Sequence, residues 1–229
     1  MTTHVADPTC EDKVYDGQPM SPRLYYGGIV GKRVLDVGCG SGNLGAVLQR
    51  QGNECYGVTL SQSEAALAKD KLTQIIVGDV ETLQALPFPE RFFDVVIFAD
   101  ILEHLKNPIH VLKLVKHYLK PQGLVIASIP NVAHVSIRFN LFRGRFDYTS
   151  TGILDNTHLR FYTQETAKTL LASSGYLIRE MKVAHSWRFP GLLRLFSFCE
   201  WEIQERLARF WPGLFAMKFV FYATPEFNP

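Results

Sequence analysis

The stretch that most constrains this chain is Val34-Leu-Asp-Val-Gly-Cys-Gly-Ser-Gly-Asn-Leu-Gly45. A short apolar run over 33–37 carries an acid, Asp36, and leads into glycines at 38, 40 and 42. A helical pattern follows directly. Strand, tight turn and helix start together are the build of a nucleotide-type cofactor cradle. Gly38 and Gly40 permit backbone angles that side chains forbid and let the main chain approach a ligand closely. The helix opening near Gly42 turns unpaired N–H groups toward that ligand.

Beyond this stretch the alternation continues. Asn43–Gln51 reads as a helix with apolar residues at 44, 47 and 48, stopped by Gly52. Glu54–Leu60 reads as the second strand, and Ser61-x-x-Glu64 resembles a capping box opening a helix through Lys71. Gln74–Val77 and Phe92–Ala99 are the third and fourth strands. Asn107 caps a helix with Pro108 in its first turn and Ile109, Leu112, Val115 and Leu119 inward. Leu124–Ile129 is the fifth strand, Thr163–Ser174 a helix stopped by Gly175, and Tyr176–Ala184 with Phe215–Thr224 a closing pair of strands.

Strands three to five are nearly all apolar, which implies a parallel sheet buried on both faces. The expected fold is α/β: a Rossmann-like, doubly wound, mostly parallel seven-stranded sheet with helices on both faces and a final antiparallel strand. Ligands on such sheets sit outside the carboxyl ends of the strands, here 36–40, 59–62, 78–80, 99–104 and 130–134. The chain reads as a single domain over 1–229. It carries a flexible arm at 1–20, an insertion at 130–163 that roofs the acceptor pocket, and an amphipathic helical insertion at 189–212.

Composition narrows the function. A chain of 229 residues with 47% hydrophobic and 20% charged residues is globular. A net charge of +2 gives no ground for a nucleic-acid partner. Cys10, Cys39, Cys55 and Cys199 form no C-x-x-C pair and have no histidine-rich surroundings, so neither a metal site nor a disulfide framework is expected. The polar stretch 1–18 lacks the features of a signal peptide, and no run of about 18 apolar residues is present. Cytoplasmic is the default expectation.

Through Leu35, Asp36, Gly38, Cys39, Gly40, Ser41 and Gly42, the glycine stretch resembles the signature of class I S-adenosylmethionine (SAM) dependent methyltransferases. Its G-x-G-x-G spacing differs from the dinucleotide G-x-G-x-x-G. The resemblance implies SAM as cofactor and S-adenosylhomocysteine (SAH) as product. It implies cofactor contacts at Asp36, Gly38, Cys39, Gly40, Asn43, Thr59, Leu60, Gln62, Asp79, Val80 and Ala99. Asp36 would hold the methionine amino group, Asp79 the adenine amino group, and 98–104 would line the sulfonium. One position departs from the pattern: Thr59 stands where an acid usually accepts from both ribose hydroxyls. A hydroxyl accepts less well than a carboxylate, so Thr59 and Gln62 are expected to share the ribose, with weaker cofactor affinity. A similar Val-Thr-Leu-Ser run occurs in the cyclopropane-fatty-acid-synthase branch.

No Asn/Asp-Pro-Pro-Tyr/Phe sequence follows the fourth strand, which argues against nucleobase and amide N-methylation. His104, His134 and His158 fall at strand ends or in the insertion and are candidate general bases, although each also reads as a polar loop residue. Pro130-Asn-Val-Ala-His134, Gly144-Arg-Phe-Asp-Tyr148 and Asp155-Asn-Thr-His-Leu-Arg-Phe161 resemble a methyltransferase branch associated with glycan and cell-envelope biosynthesis. Glu103-His104 resembles the ubiquinone-biosynthesis O-methyltransferases.

These resemblances imply a small-molecule acceptor, with a hydroxyl of a sugar or secondary metabolite first. A quinone or lipid-like phenol, N- or C-methylation, and a catalytically silent SAM-binding regulator are the alternatives. Asn131, Arg138, Asp155 and Arg160 are candidate substrate contacts. Arg138, Arg143, Arg145 and Arg160 either grip an anionic acceptor or pair with Asp147 and Asp155. The apolar stripe over 189–211 packs in the core, forms a homodimer contact, or lies on a membrane surface.

Overall fold

A computed structural model describes residues 26–184 and 200–227, with side chains from 205 onward in the second stretch. The arm at 1–20 and residues 189–199 of the apolar stripe lie outside the described residues. Seven strands form one sheet: β1 (Arg33–Val37), β2 (Glu54–Thr59), β3 (Gln74–Val77), β4 (Phe93–Ala99), β5 (Leu119–Pro130), β6 (Tyr176–Ala184) and β7 (Lys218–Pro225). Their order is β3-β2-β1-β4-β5-β7-β6. The first five strands pair parallel, and β7 runs antiparallel between β5 and β6. The chain thus folds as the expected mostly parallel, Rossmann-like sheet.

Two cores explain the layering. Successive strand residues point to opposite faces, so Val34, Val95 and Ile97 join one cluster, while Leu35, Val37, Val96 and Phe98 join the other. The first face is covered by α1 (Asn43–Arg50) and α2 (Gln62–Ala68) through Leu44, Leu48 and Ala68. The second is covered by α3 (Pro108–Lys116) and α5 (Gln164–Ser173) through Leu112, Val115, Ala167 and Leu171. The insertion after β5 contains α4 (Val135–Phe142), and α6 (Glu200–Phe210) with the short α7 (Pro212–Phe215) precedes β7.

Several local expectations shift. α3 ends at Lys116 and Leu119 opens β5, so the strand is longer than 124–129, with a register irregularity between its pairings at Phe93 and Val95. Ile109 faces solvent, and Val111 and Leu114 are buried beside Leu112 and Val115. α2 ends at Ala68, short of Lys71. β7 starts at Lys218, because Pro212 begins a helical turn over residues otherwise apolar enough to extend the strand.

Candidate active site

The carboxyl ends of β1 to β5, the insertion and the start of β7 surround a cavity of about 770 Å³. One half of it is built on the glycine loop. Gly38 and Cys39 both donate their N–H to the Val58 carbonyl, at 2.8 and 3.0 Å, fastening the loop to β2. Gly38 has φ 76°, a conformation that strains any other residue, and a Cβ there would also press on the Ile101 side chain at 2.8 Å. The Lys71 ammonium clamps the helix start by donating to Ser41 O at 2.8 Å and Asn43 Oδ1 at 2.9 Å.

Two carboxylates face this half. Asp36 is 2% exposed, and its Oδ1 accepts no hydrogen bond. Burial pushes its carboxyl up to about 7, because desolvation disfavours the charged form. The second, Glu64, was hidden in the capping-box reading. Ser61 Oγ does accept from the Glu64 N–H at 3.3 Å, but the Glu64 side chain turns inward instead of closing the box. Thr59 Oγ1 donates to Glu64 Oε2 at 2.8 Å, and Oε1 lies 3.6 Å from where a Cβ on Gly40 would stand. A buried carboxylate therefore sits at the end of β2 after all, carried by the first turn of α2. Asp79 lines the cavity at the end of β3 and accepts from the Glu81 N–H at 2.9 Å.

The other half is organised around the 3₁₀ turn Leu102–His104. The Glu103 carbonyl accepts from Leu159 and Arg160 N–H groups at 2.9 and 3.0 Å, pinning the insertion over the turn. The Glu103 side chain is 1% exposed, neither oxygen accepts a hydrogen bond, and burial raises its carboxyl well above the usual range. His158 Nε2 lies 3.8 Å from Glu103 Oε1. The rings of His104 and His158 meet edge to face at 4.7 Å.

Tautomers follow from backbone carbonyls, which can only accept. His104 Nδ1 is 3.2 Å from Thr157 O and His158 Nδ1 is 3.0 Å from Ile153 O. Each Nδ1 therefore carries a proton and leaves Nε2 with the lone pair in the neutral ring. Burial, and then the neighbouring His158, lower His104 to about 4, so this imidazole is neutral at physiological pH. Glu103, His104 and His158 also present ligand atoms within 4.8 Å of one another, a set able to hold a divalent cation.

Of the residues expected at the site, Asp36, Gly38, Cys39, Gly40, Asn43, Thr59, Leu60, Asp79, Val80, Ala99, His104, Asp155 and His158 line the cavity. Gln62, Asn131, His134, Arg138 and Arg160 do not. The His134 imidazole caps α4, accepting from the Ser136 N–H at 3.3 Å. Asn131 is buried and donates to Gly213 O and Ala216 O, at 3.1 and 2.8 Å, tying α7 to the end of β5. Arg138 Nε donates to Ala133 O at 2.7 Å, and Arg160 Nε to Leu105 O and Lys106 O, both at 3.2 Å. Their guanidinium groups are thus engaged with turn carbonyls. Asp155 accepts from Thr157 N and Oγ1 at 2.9 and 2.7 Å and so shapes the turn that delivers His158.

Sequence reasoning missed Glu64, the Glu103 side chain, and Lys218, whose ammonium pairs with Asp100 on the cavity wall. Asp100 adopts φ 54° and accepts from Ser128 Oγ at 2.7 Å.

Residues 18–180 match the Methyltransf_23 family, described as a methyltransferase domain. The chain is 28% identical over 167 residues to the ubiquinone biosynthesis O-methyltransferase of Acinetobacter baumannii (strain ACICU), covering 69% of each. It is 32% identical over 108 residues to the enzyme of that name from Pseudomonas aeruginosa (strain LESB58), covering 45% of this chain and 47% of that one. Among solved structures, a SAM dependent methyltransferase from Archaeoglobus fulgidus superposes with a TM-score of 0.57 at 22% identity, covering 88% of both chains. A magnesium protoporphyrin IX methyltransferase from Synechocystis PCC 6803 with bound SAH superposes with a TM-score of 0.58 at 16% identity, covering 89% of this chain and 78% of that one. At these identities the structural likeness speaks for the fold.

Proposed function

Since the chain belongs to the class I SAM-dependent methyltransferases, we propose that it methylates a hydroxyl of a small molecule, with His104 receiving the proton. The cofactor fits the residues present: a glycine loop that excludes side chains, and an unsatisfied buried acid at Asp36. Asp36 would hold the amino group, Glu64 with Thr59 the ribose hydroxyls, and Asp79 the adenine amino group. Bound SAM supplies a methyl group activated by its sulfonium.

The observation that carries the oxygen reading is the neutral His104 on the wall of the same cavity. A hydroxyl must lose its proton as it becomes an ether, and a positioned imidazole with its lone pair at Nε2 receives that proton. A quinone-like or lipid-like phenol is the second reading. It is favoured by the name of the relatives in Acinetobacter and Pseudomonas.

The test is SAH formation from SAM with sugars, catechols, amines and carbon acids offered side by side. Turnover is expected with hydroxylated acceptors. SAH from amines or carbon acids alone would overturn the oxygen reading, and SAM binding with no product from any acceptor would favour a silent regulator.

Asp36 makes a pH prediction. Its carboxyl titrates near 7 in the folded protein and at about 3.9 when unfolded. Between those values the folded state holds a proton that the unfolded state has lost. Stability contributed by this group is therefore full below about 3.9 and falls as pH rises through 7. The cofactor-free Tm is expected to drop across that window, and the Tm increment on adding SAM to grow over the same range. Calorimetric scans of wild type and Asp36→Asn check this. Unchanged pH dependence in the variant would show that Asp36 is not the group responsible.

A further inference from the structure

The insertion carries a surface that the chemistry above does not use. In α4 only Ile137 is buried, and every residue from Arg138 to Gly152 is exposed. Phe142 is 89% exposed, Phe139 58%, Tyr148 57% and Leu141 51%. Exposed large apolar side chains are ordinary when scattered, but here they follow one another along one helix and the turn after it. Phe146 packs edge to face with Tyr148 at 5.7 Å and with Phe161 at 5.7 Å, which stiffens the base of the projection. Arginines alternate with these rings: Arg138, Arg143 and Arg145 stand against a single carboxylate, Asp147, over residues 135–148. The Arg143 guanidinium lies 5.5 Å from the centre of the Phe139 ring.

We infer that α4 and the loop through Tyr148 dock the protein on the surface of an anionic lipid bilayer. Aromatic side chains interleaved with arginines match an interface whose outer layer is anionic and whose inner layer is apolar. The same charge argues against a second copy as the occupant, since two such faces would bring six arginines together with two aspartates. Insertion to headgroup depth needs no spanning helix, and no described helix is long and apolar enough to cross a membrane. The docked surface is continuous with the cavity, because Thr151, Gly152 and Ile153 line its wall just beyond Tyr148. An acceptor dissolved in the bilayer would enter there.

The test is flotation of the full chain with vesicles of equal parts phosphatidylglycerol and phosphatidylcholine, and with phosphatidylcholine alone. Turnover of a water-soluble acceptor is measured alongside, so that loss of the methyl-transfer reading stays distinguishable. Binding to the mixed vesicles is expected, at least tenfold weaker to phosphatidylcholine alone and weakened several-fold between 0.1 and 0.5 M salt, on the order expected from screening. Phe139, Phe142, Arg143 and Arg145 do not line the cavity, so the double variants Phe139→Ser/Phe142→Ser and Arg143→Glu/Arg145→Glu should each lose at least tenfold in vesicle affinity with soluble turnover unchanged. Three results would overturn the proposal: no flotation of the wild type, flotation unaffected by both variants, or a dimer in sedimentation that the same variants dissolve.

Discussion

His104→Ala is expected to lower kcat by about 10²- to 10⁴-fold, the range for losing a general base, with the SAM Kd within about threefold of wild type. The two effects are expected to separate because the proposed function puts His104 beside the acceptor, and the glycine loop, Asp36 and Glu64 beside the cofactor. The pH profile carries further information. His104 titrates at about 4, so its base form is complete above about pH 5 and wild-type kcat should not rise through its titration between pH 6 and 9. In the variant the acceptor must ionise by itself, and log kcat should climb with pH until the hydroxyl has titrated. His104→Gln removes the base while keeping a polar side chain of related reach, and should behave like the alanine variant. Rates within a few-fold of wild type in both variants would leave proximity alone as the source of catalysis.

Glu64→Ala should weaken SAM binding by about 10- to 100-fold, the loss of one or more hydrogen bonds to a charged acceptor. The carboxylate is 7% exposed and held by Thr59 Oγ1, so its position is fixed before a cofactor arrives. Glu64→Gln keeps an acceptor oxygen and loses the charge, and should fall between wild type and alanine. Thr59→Val removes the tether and leaves the carboxylate, so it should cost less than Glu64→Ala. Titration calorimetry of the three variants orders them, and a Glu64→Ala Kd within twofold of wild type would remove Glu64 from the ribose contact.

How much of this was legible in the sequence differs between the two halves of the cavity. The glycine loop and strand ends were legible because backbone constraints write themselves into local residue types: Gly38 must be glycine wherever this turn occurs. Strand alternation followed from apolar runs, and the five parallel strands fall where those runs lie. Glu64 was not legible as a ligand-facing acid, because Ser61-x-x-Glu64 satisfies a local capping rule equally well. Only the contact with Thr59 shows that the side chain turns toward the cavity wall instead of closing the box. Spacing likewise said nothing of whether Arg138, Arg160 and His134 face a ligand or the backbone. Those choices depend on the path of the insertion, which is set by long-range contacts such as the Glu103 carbonyl to Leu159 and Arg160. Lys218 was missed for the same reason, being 118 residues from Asp100 in sequence.

The position of β7 has a consequence for the order in which the site is made. β7 lies between β5 and β6, both of which leave the ribosome before it. Until it arrives, β5 and β6 cannot pair through it, and the apolar edge of β5 from Val125 to Ile129 has no partner on that side. An unpaired edge of that kind invites association with other chains. Lys218 at the start of the same strand and Met217 just before it, both lining the cavity, are also made late. During synthesis the half built on the glycine loop can therefore form early, from β1 to β4, while the other half waits for β7. A nascent chain would acquire its cofactor cradle well before it could carry out transfer.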